Sequence, residues 1–418
     1  MSVLVKDVLL EGRTTSIYIE GDRIAELGKK PEADTVIDGR GKAAIPGLVN
    51  AHTHAAMTLF RSYADDLRLQ EWLETKIWPR EATLTGDDIY WGTKLACLEM
   101  IRSGTTCFND MYFHTDRAAE AVQEMGLRAV LSEGIIDRGD ASIGELQLKT
   151  AREMIRKIDA LRSSRIVPAL GPHAIYTVSK ETFQAVRDLS DAKGYLVHTH
   201  LAETQGEVDD CLARYGVRPA RYLDSLGVLS RKLVAAHGCW LEQEEIELLG
   251  MDGAKVVYCP VSNMKLATNR AMPYAALKEA GVLVALGTDG ASSNNNLDMF
   301  ESMKFAALLA KFASGDPTIA PAGDVLQMAA LGGARALGID AGILEENRLA
   351  DLALVDLRRA DLTPRFNLAS LLVYAANGSA VDTVICDGQV LMKGRKIKGE
   401  AEILTRAAEV AQDVATRG

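Results

Sequence analysis

No run of basic residues, no apolar stretch long enough to span a bilayer and no C-x-x-C pair occurs in these 418 residues. Each absence closes off a class of function. With 57 acidic against 47 basic side chains the net charge is −10. A chain so charged, lacking a local basic stripe, does not condense on a polyanion, and nucleic acid is not expected as a partner. A membrane helix takes about 20 consecutive apolar residues, so no membrane partner is expected either. The opening MSVLVKDVLLEGR places Lys6, Asp7 and Glu11 where a secretory leader is apolar. The six cysteines (Cys97, Cys107, Cys211, Cys239, Cys259 and Cys386) sit mostly within apolar patterns. They read as buried free thiols of a reducing compartment, and the expected location is the cytoplasm.

What is present is the balance of a soluble globular protein, 48% hydrophobic and 25% charged. Two textures divide the chain. VLVKDVLL, TSIYIEGDRIAELG and DTVIDGRGKAAI alternate apolar and polar residues between Gly- and Asp-rich turns, and the texture returns in ADLALVDL and DTVICDGQVLMKGRKI. We expect one small β-sandwich domain built from both termini, residues 1–46 plus 346–418, closed by an amphipathic helix over AEILTRAAEVAQDVATRG. Between them, short apolar runs alternate with longer helical stretches, the signature of βα units. Eight such runs occur, at 47–54, 104–111, 128–135, 165–172, 195–202, 233–240, 255–262 and 282–289. Eight is the number that closes a barrel. The expected fold class is therefore α/β, a (β/α)8 TIM barrel over 47–345. An open doubly wound sheet is the weaker alternative, because no G-x-G-x-x-G follows the first run.

The histidines sort by position. His52 and His54 end the first strand, His173 follows the fourth, His198 and His200 end the fifth, and His237 ends the sixth, with Asp289 at the end of the eighth. The carboxyl ends of barrel strands share one mouth, where active sites lie. Alone, His-x-His is a polar pair at a strand end. Joined by His200 and Asp289, it becomes a four-ligand N/O site for one divalent cation, suited to Zn²⁺ with Fe²⁺ or Mn²⁺ as substitutes. A binuclear centre would need a bridging group such as a carboxylated lysine after the fourth strand, and PALGPHAIY has no lysine. Glu203, three residues past a ligand, reads as a general acid/base rather than a surface glutamate. His237 is placed to touch the nucleophilic water, and His198 to support the ligands from behind.

PGLVNAHTH, HTHLAET, AAHGCW, PVSNMKLA and GTDGASSNN resemble the amidohydrolase superfamily over essentially the whole chain, in the branch of 5-methylthioadenosine/S-adenosylhomocysteine and 5′-deoxyadenosine deaminases. The resemblance implies hydrolytic deamination at C6 of an adenosine-type nucleoside, with metal on His52, His54, His200 and Asp289. It implies that Glu203 handles the proton at the purine ring and that His237 orients the water. Asp289 would accept the water's proton on a free carboxylate oxygen. Glu81 would hold the ribose hydroxyls, His173 would contact substrate, and Arg138 is the nearest candidate for a charged 5′-substituent. A homo-oligomer, tetramer or dimer, is also implied. Rival readings are a related hydrolase acting on guanine, a cytosine-like ring or an s-triazine, and a non-catalytic barrel module.

Overall fold

A computed structural model describes residues 2–417; Met1 and Gly418, the outermost positions of the expected small domain, lie outside the described residues. Five strands open the chain: β1 (Ser2–Leu10), β2 (Arg13–Glu20), β3 (Arg23–Leu27), β4 (Thr35–Asp38) and β5 (Lys42–Pro46). Eight follow in the barrel: β6 (Leu48–Thr53), β7 (Thr105–Tyr112), β8 (Arg128–Ile135), β9 (Ile166–Pro172), β10 (Val197–Leu201), β11 (Leu233–His237), β12 (Lys255–Tyr258) and β13 (Leu283–Leu286). Three more, β14 (Leu352–Asp356), β15 (Val381–Cys386) and β16 (Gln389–Met392), return to the first sheet.

The barrel strands run parallel in sequence order from β6 to β13, each within one of the eight apolar runs except that β7 extends one residue past its run to Tyr112. Nearly all of their residues are buried, as parallel strands covered on both faces require. Some strands stop short of their runs for local reasons. β11 ends at His237, where His237 (φ 75°) and Gly238 (φ 64°) turn left-handed. β12 ends before Pro260, which opens a short helix, Pro260–Lys265. β13 ends at Leu286, and the next three residues close the barrel by other means. Asn50 Nδ2 donates to Thr288 Oγ1 at 2.7 Å and Asn50 Oδ1 accepts from Thr288 N at 3.0 Å. The Asp289 N–H then donates to the His52 carbonyl at 3.0 Å.

The terminal strands form the second sheet, in the order β16-β15-β14-β5-β1-β2-β3 with β4 also on β1. A bulge in β1 between Val5 and Val8 allows this branching. Before it, Val3–Lys6 pair with β4; beyond it, Leu9 pairs with Ala43 of β5. Val3, Val5, Ile17 and Ile19 from one half share a core with Leu352, Leu354 and Ile385 from the other, so the sheet folds over itself into the expected sandwich. The antiparallel pairing of β5 with β14, from Lys42–Asp356 to Pro46–Leu352, ties the two ends of the chain together. The helix Glu400–Thr416 lies against the barrel helix Gly86–Arg102, and Arg417 beyond it pairs with Asp88.

One buried ion cluster rivets the two sheets. Arg128, at the start of β8, donates to Asp351 Oδ2 at 2.7 Å and to Asp387 Oδ1 at 2.6 Å, with the Arg128 and Asp351 side chains 4% and 1% exposed. Removing one partner of a buried pair leaves an uncompensated charge at a cost of about 3–5 kcal/mol. Arg128→Met is therefore expected to lower unfolding free energy by about that amount in urea titration. A loss under about 1 kcal/mol would show the cluster to be solvated.

Candidate metal centre and active site

His52 lies in β6 and His54 just past its end, capping the short helix Ala55–Phe60, while period-two alternation puts His198 and His200 on one face of β10. Each ring is then held by its far nitrogen. His54 donates Nδ1–H to the Met111 carbonyl at 2.6 Å, and His200 donates Nδ1–H to the His173 carbonyl at 2.8 Å. A carbonyl can only accept, so in its neutral form each ring presents a bare Nε2 to the centre. His52 Nδ1 pairs with His198 Nε2 at 2.8 Å. His198 Nδ1 in turn faces Ser132 Oγ at 3.5 Å, whose own proton is spent on the Asp110 carbonyl at 2.7 Å. That relay leaves His52 Nε2 bare as well, and it is buried with no hydrogen-bond partner among the described residues.

These lone pairs converge. His54 Nε2 lies 3.3 Å from His200 Nε2 and 3.3 Å from Asp289 Oδ1, and His52 Nε2 lies 3.4 Å from the same oxygen. Bare nitrogens and a carboxylate at such separations repel unless a cation sits between them. Zinc bonds of about 2.0–2.1 Å in a tetrahedron set ligand atoms about 3.3–3.4 Å apart, so the residues fit a zinc ion. The same demand for positive charge shows in titration. Burial opposes charging His54, yet the Asp289 carboxylate lifts its pKa to about 9. Burial would likewise raise Asp289, but His52 and His54 hold it well below the usual carboxylate range.

Asp289 is fixed from both sides, in a left-handed conformation (φ 64°) that a carboxylate-bearing residue tolerates better than most. Its Oδ1 takes the Gly290 N–H at 2.8 Å, while Oδ2 takes hydroxyls from Ser262 at 2.6 Å and Ser293 at 3.0 Å. The free carboxylate oxygen expected from sequence is therefore engaged by two serines. Neither serine was singled out beforehand, although both lie in PVSNMKLA and GTDGASSNN, immediately after strands that end at this mouth.

A cavity of about 670 Å³ opens over the centre. His54, His200 and Asp289 form its floor, with Glu203, His237, His173 and Glu81 on its walls. Burial first, and Asp289 second, push Glu203 up to about 8, so it carries a proton at neutral pH. Its backbone is clamped by Glu207, which accepts the N–H groups of Ala202 at 2.8 Å and Glu203 at 2.9 Å. His237 Nε2 lies 3.8 Å from Glu203 Oε2, and burial lowers this ring to about 4. His173 gives its Nδ1 to Thr177 at 2.8 Å, leaving Nε2 toward the cavity, and burial drops it to about 3. Glu81 accepts the Tyr112 hydroxyl at 2.8 Å, with burial raising its pKa. The outer wall, which sequence reading did not identify, is an insertion after β6 that supplies Leu69, Trp72, Leu73 and Trp78. Arg138 stands apart. It is exposed, turned outward at φ 52° and stacked 5.0 Å over the Trp78 ring, at the rim and off the cavity's lining.

The amidohydrolase family pattern matches residues 43–391, which take in β5 through most of β16. The chain belongs to the amidohydrolase family. It is 50% identical to a 5′-deoxyadenosine deaminase of Methanospirillum hungatei, over 100% of this chain and 94% of that one. It is 52% identical to a 5-methylthioadenosine/S-adenosylhomocysteine deaminase of Moorella thermoacetica, over 91% and 90%. Among solved structures, an adenosine deaminase from Xanthomonas campestris with bound zinc superposes with a TM-score of 0.93 at 36% identity, covering 99% of each chain. This amidohydrolase centre has a built-in test. Partners behind the ligands typically contribute about 10–100-fold to metal affinity. Ser262→Ala should weaken zinc binding by about that factor in a chelator-competition assay, while His237→Ala leaves it unchanged. A reversal of those two results would make His237 a ligand.

Proposed function

We propose that this amidohydrolase deaminates adenosine-type nucleosides at C6, releasing ammonia and the inosine-type product. The carrying observation is that Glu203 and His237, both buried, face the same cavity as the His54 and His200 imidazoles and Asp289. The relatives named above, deaminases of 5′-deoxyadenosine, methylthioadenosine, S-adenosylhomocysteine and adenosine, support the substrate class. His52, His54, His200 and Asp289 hold one zinc ion. A zinc ion in such a site supplies Lewis acidity that makes water nucleophilic near neutral pH.

The remaining chemistry belongs to the chain's own side chains. Glu203 delivers its proton to N1 of the purine, which makes C6 electrophilic. His237 holds the attacking water against the ring face. Asp289 Oδ2 takes the water's proton once a Ser262 or Ser293 hydroxyl swings away and passes it to the departing ammonia, and the remaining hydroxyl proton returns to Glu203 as the C6 carbonyl forms. Glu81, already oriented by Tyr112, binds the ribose hydroxyls, and the His173 Nε2 contacts the substrate. Arg138, on the rim, meets only a 5′-substituent long enough to leave the cavity. We assign residues 47–345 to the catalytic barrel and 1–46 plus 346–418 to the small β-domain with its closing helix. The six cysteines, all buried and unpaired, suit a reducing cytoplasm, and we assign a homo-oligomeric state by analogy with the resembling family.

An ultraviolet assay with adenosine, 5′-deoxyadenosine, methylthioadenosine and S-adenosylhomocysteine tests the activity; zinc-loaded protein that turns over none of them overturns it. General acid catalysis is worth about 10²–10⁴-fold, so Glu203→Gln should lose that much in kcat and keep its zinc. Because the Glu203 pKa is raised to about 8, its proton is present below that pH and lost above it. Wild-type kcat/KM is expected to fall as pH climbs through this region, and the Glu203→Gln profile to lose that limb. Turnover of Glu203→Gln close to wild type would remove Glu203 from the reaction.

A further inference from the structure

We propose that Asn263 fixes the tautomer of His237 and thereby makes this ring a hydrogen-bond donor to the attacking water instead of a fourth imidazole ligand. The proposal rests on the deaminase reading and adds a positioning residue to it. Location alone does not settle the role of His237, because its ring nitrogen lies within 4.8 Å of ligand atoms on both His52 and Asp289.

The decisive difference is at the far nitrogen of each ring. His54 and His200 donate Nδ1–H to carbonyls, and His52 passes its Nδ1–H to His198, so all three keep Nε2 bare. The His237 Nδ1 instead faces the Asn263 amide nitrogen at 2.9 Å. An amide N–H donates, so Nδ1 is the accepting nitrogen and the neutral ring carries its hydrogen on Nε2. A nitrogen that holds a hydrogen cannot ligate a metal. On that side stands Glu203 Oε2 at 3.8 Å, an acceptor too distant for a direct hydrogen bond. The Nε2–H donor is thus left for an oxygen between them.

Asn263 is built for this single contact. It is 2% exposed and His237 1%, and Asn263 Oδ1 has no partner among the described residues. Its backbone is anchored by a 3.0 Å hydrogen bond to the Cys259 carbonyl in the short helix Pro260–Lys265. Ser262, its neighbour on that helix, holds Asp289. One helical turn therefore sets the ligand carboxylate and the donor imidazole together.

Asn263→Asp keeps the shape and exchanges the donor for an acceptor, drawing the ring hydrogen to Nδ1. Nitrogen-15 histidine spectra of the zinc-loaded protein read the tautomer directly, with His237→Gln assigning the signal. The expected result is hydrogen on Nε2 in wild type and on Nδ1 in Asn263→Asp. With it, kcat should fall by about 10²-fold or more, zinc stoichiometry should hold, and KM should stay within about threefold. Three results would overturn the proposal: a wild-type ring with hydrogen on Nδ1, a variant whose hydrogen has moved with kcat intact, or a fall in kcat without movement of the hydrogen. The wild-type spectrum decides by itself if the variant misfolds. Failure of wild type on every nucleoside would instead refute the deaminase reading and leave the tautomer to the spectrum.

Discussion

The hydrogen bond from the Asp289 N–H to the His52 carbonyl is where the barrel closes and where the metal centre is made. Without it, the last strand and the first would leave an open seam, and the carboxylate would lie away from the imidazoles. With it, Asp289 Oδ1 comes within 3.3–3.4 Å of two ring nitrogens. Asn50 and Thr288 secure the same seam by a reciprocal pair of hydrogen bonds deep in the mouth. Barrel closure and ligand geometry are thus one constraint: a change that loosens the seam also spreads the ligands.

The cost of this arrangement is electrostatic. Three imidazoles and an ionised carboxylate are packed into a largely buried region, and such groups are expensive to bury unless paired. The barrel supports them with carbonyls and hydroxyls from neighbouring strands: Met111 behind His54, His173 behind His200, Ser262 and Ser293 behind Asp289. Each support fixes one far atom, so every near atom aims at the same point. His237 has the opposite support, an amide donor, and accordingly the opposite hydrogen placement. The strained left-handed conformations of His237 and Asp289 at the strand ends fit a site whose geometry is over-determined by its surroundings.

Much of this was legible in the sequence, and the pattern of what was not is instructive. All eight barrel strands fall on the apolar runs, β7 overrunning its own by Tyr112 alone, because parallel strands buried on both faces are largely apolar. The ligands were readable because strand ends in a barrel share a mouth. The serines behind Asp289 and the amide behind His237 were not, because which hydroxyl meets which carboxylate depends on loop geometry that no periodicity encodes. Glu81 was placed by the resemblance alone, since nothing in its position beside Pro79 tells that the insertion after β6 folds it against the Tyr112 hydroxyl. Arg138, followed by Gly139 in another left-handed turn, faces outward, which spacing could not have told. The branched pairing of β4 and β5 on β1 was equally hidden, since alternation marks strands but not their neighbours.

The central claim is that three Nε2 atoms and one carboxylate oxygen of this chain bind a single metal, with His237 outside the ligand set. Metal K-edge absorption of the zinc-loaded protein, compared with the same measurement on His237→Ala, tests it most directly. The account predicts one zinc per chain, three imidazole nitrogens and oxygen ligation at about 2.0–2.2 Å, and an imidazole count unchanged by the substitution. Two metals per chain, or one imidazole fewer in His237→Ala, would contradict it.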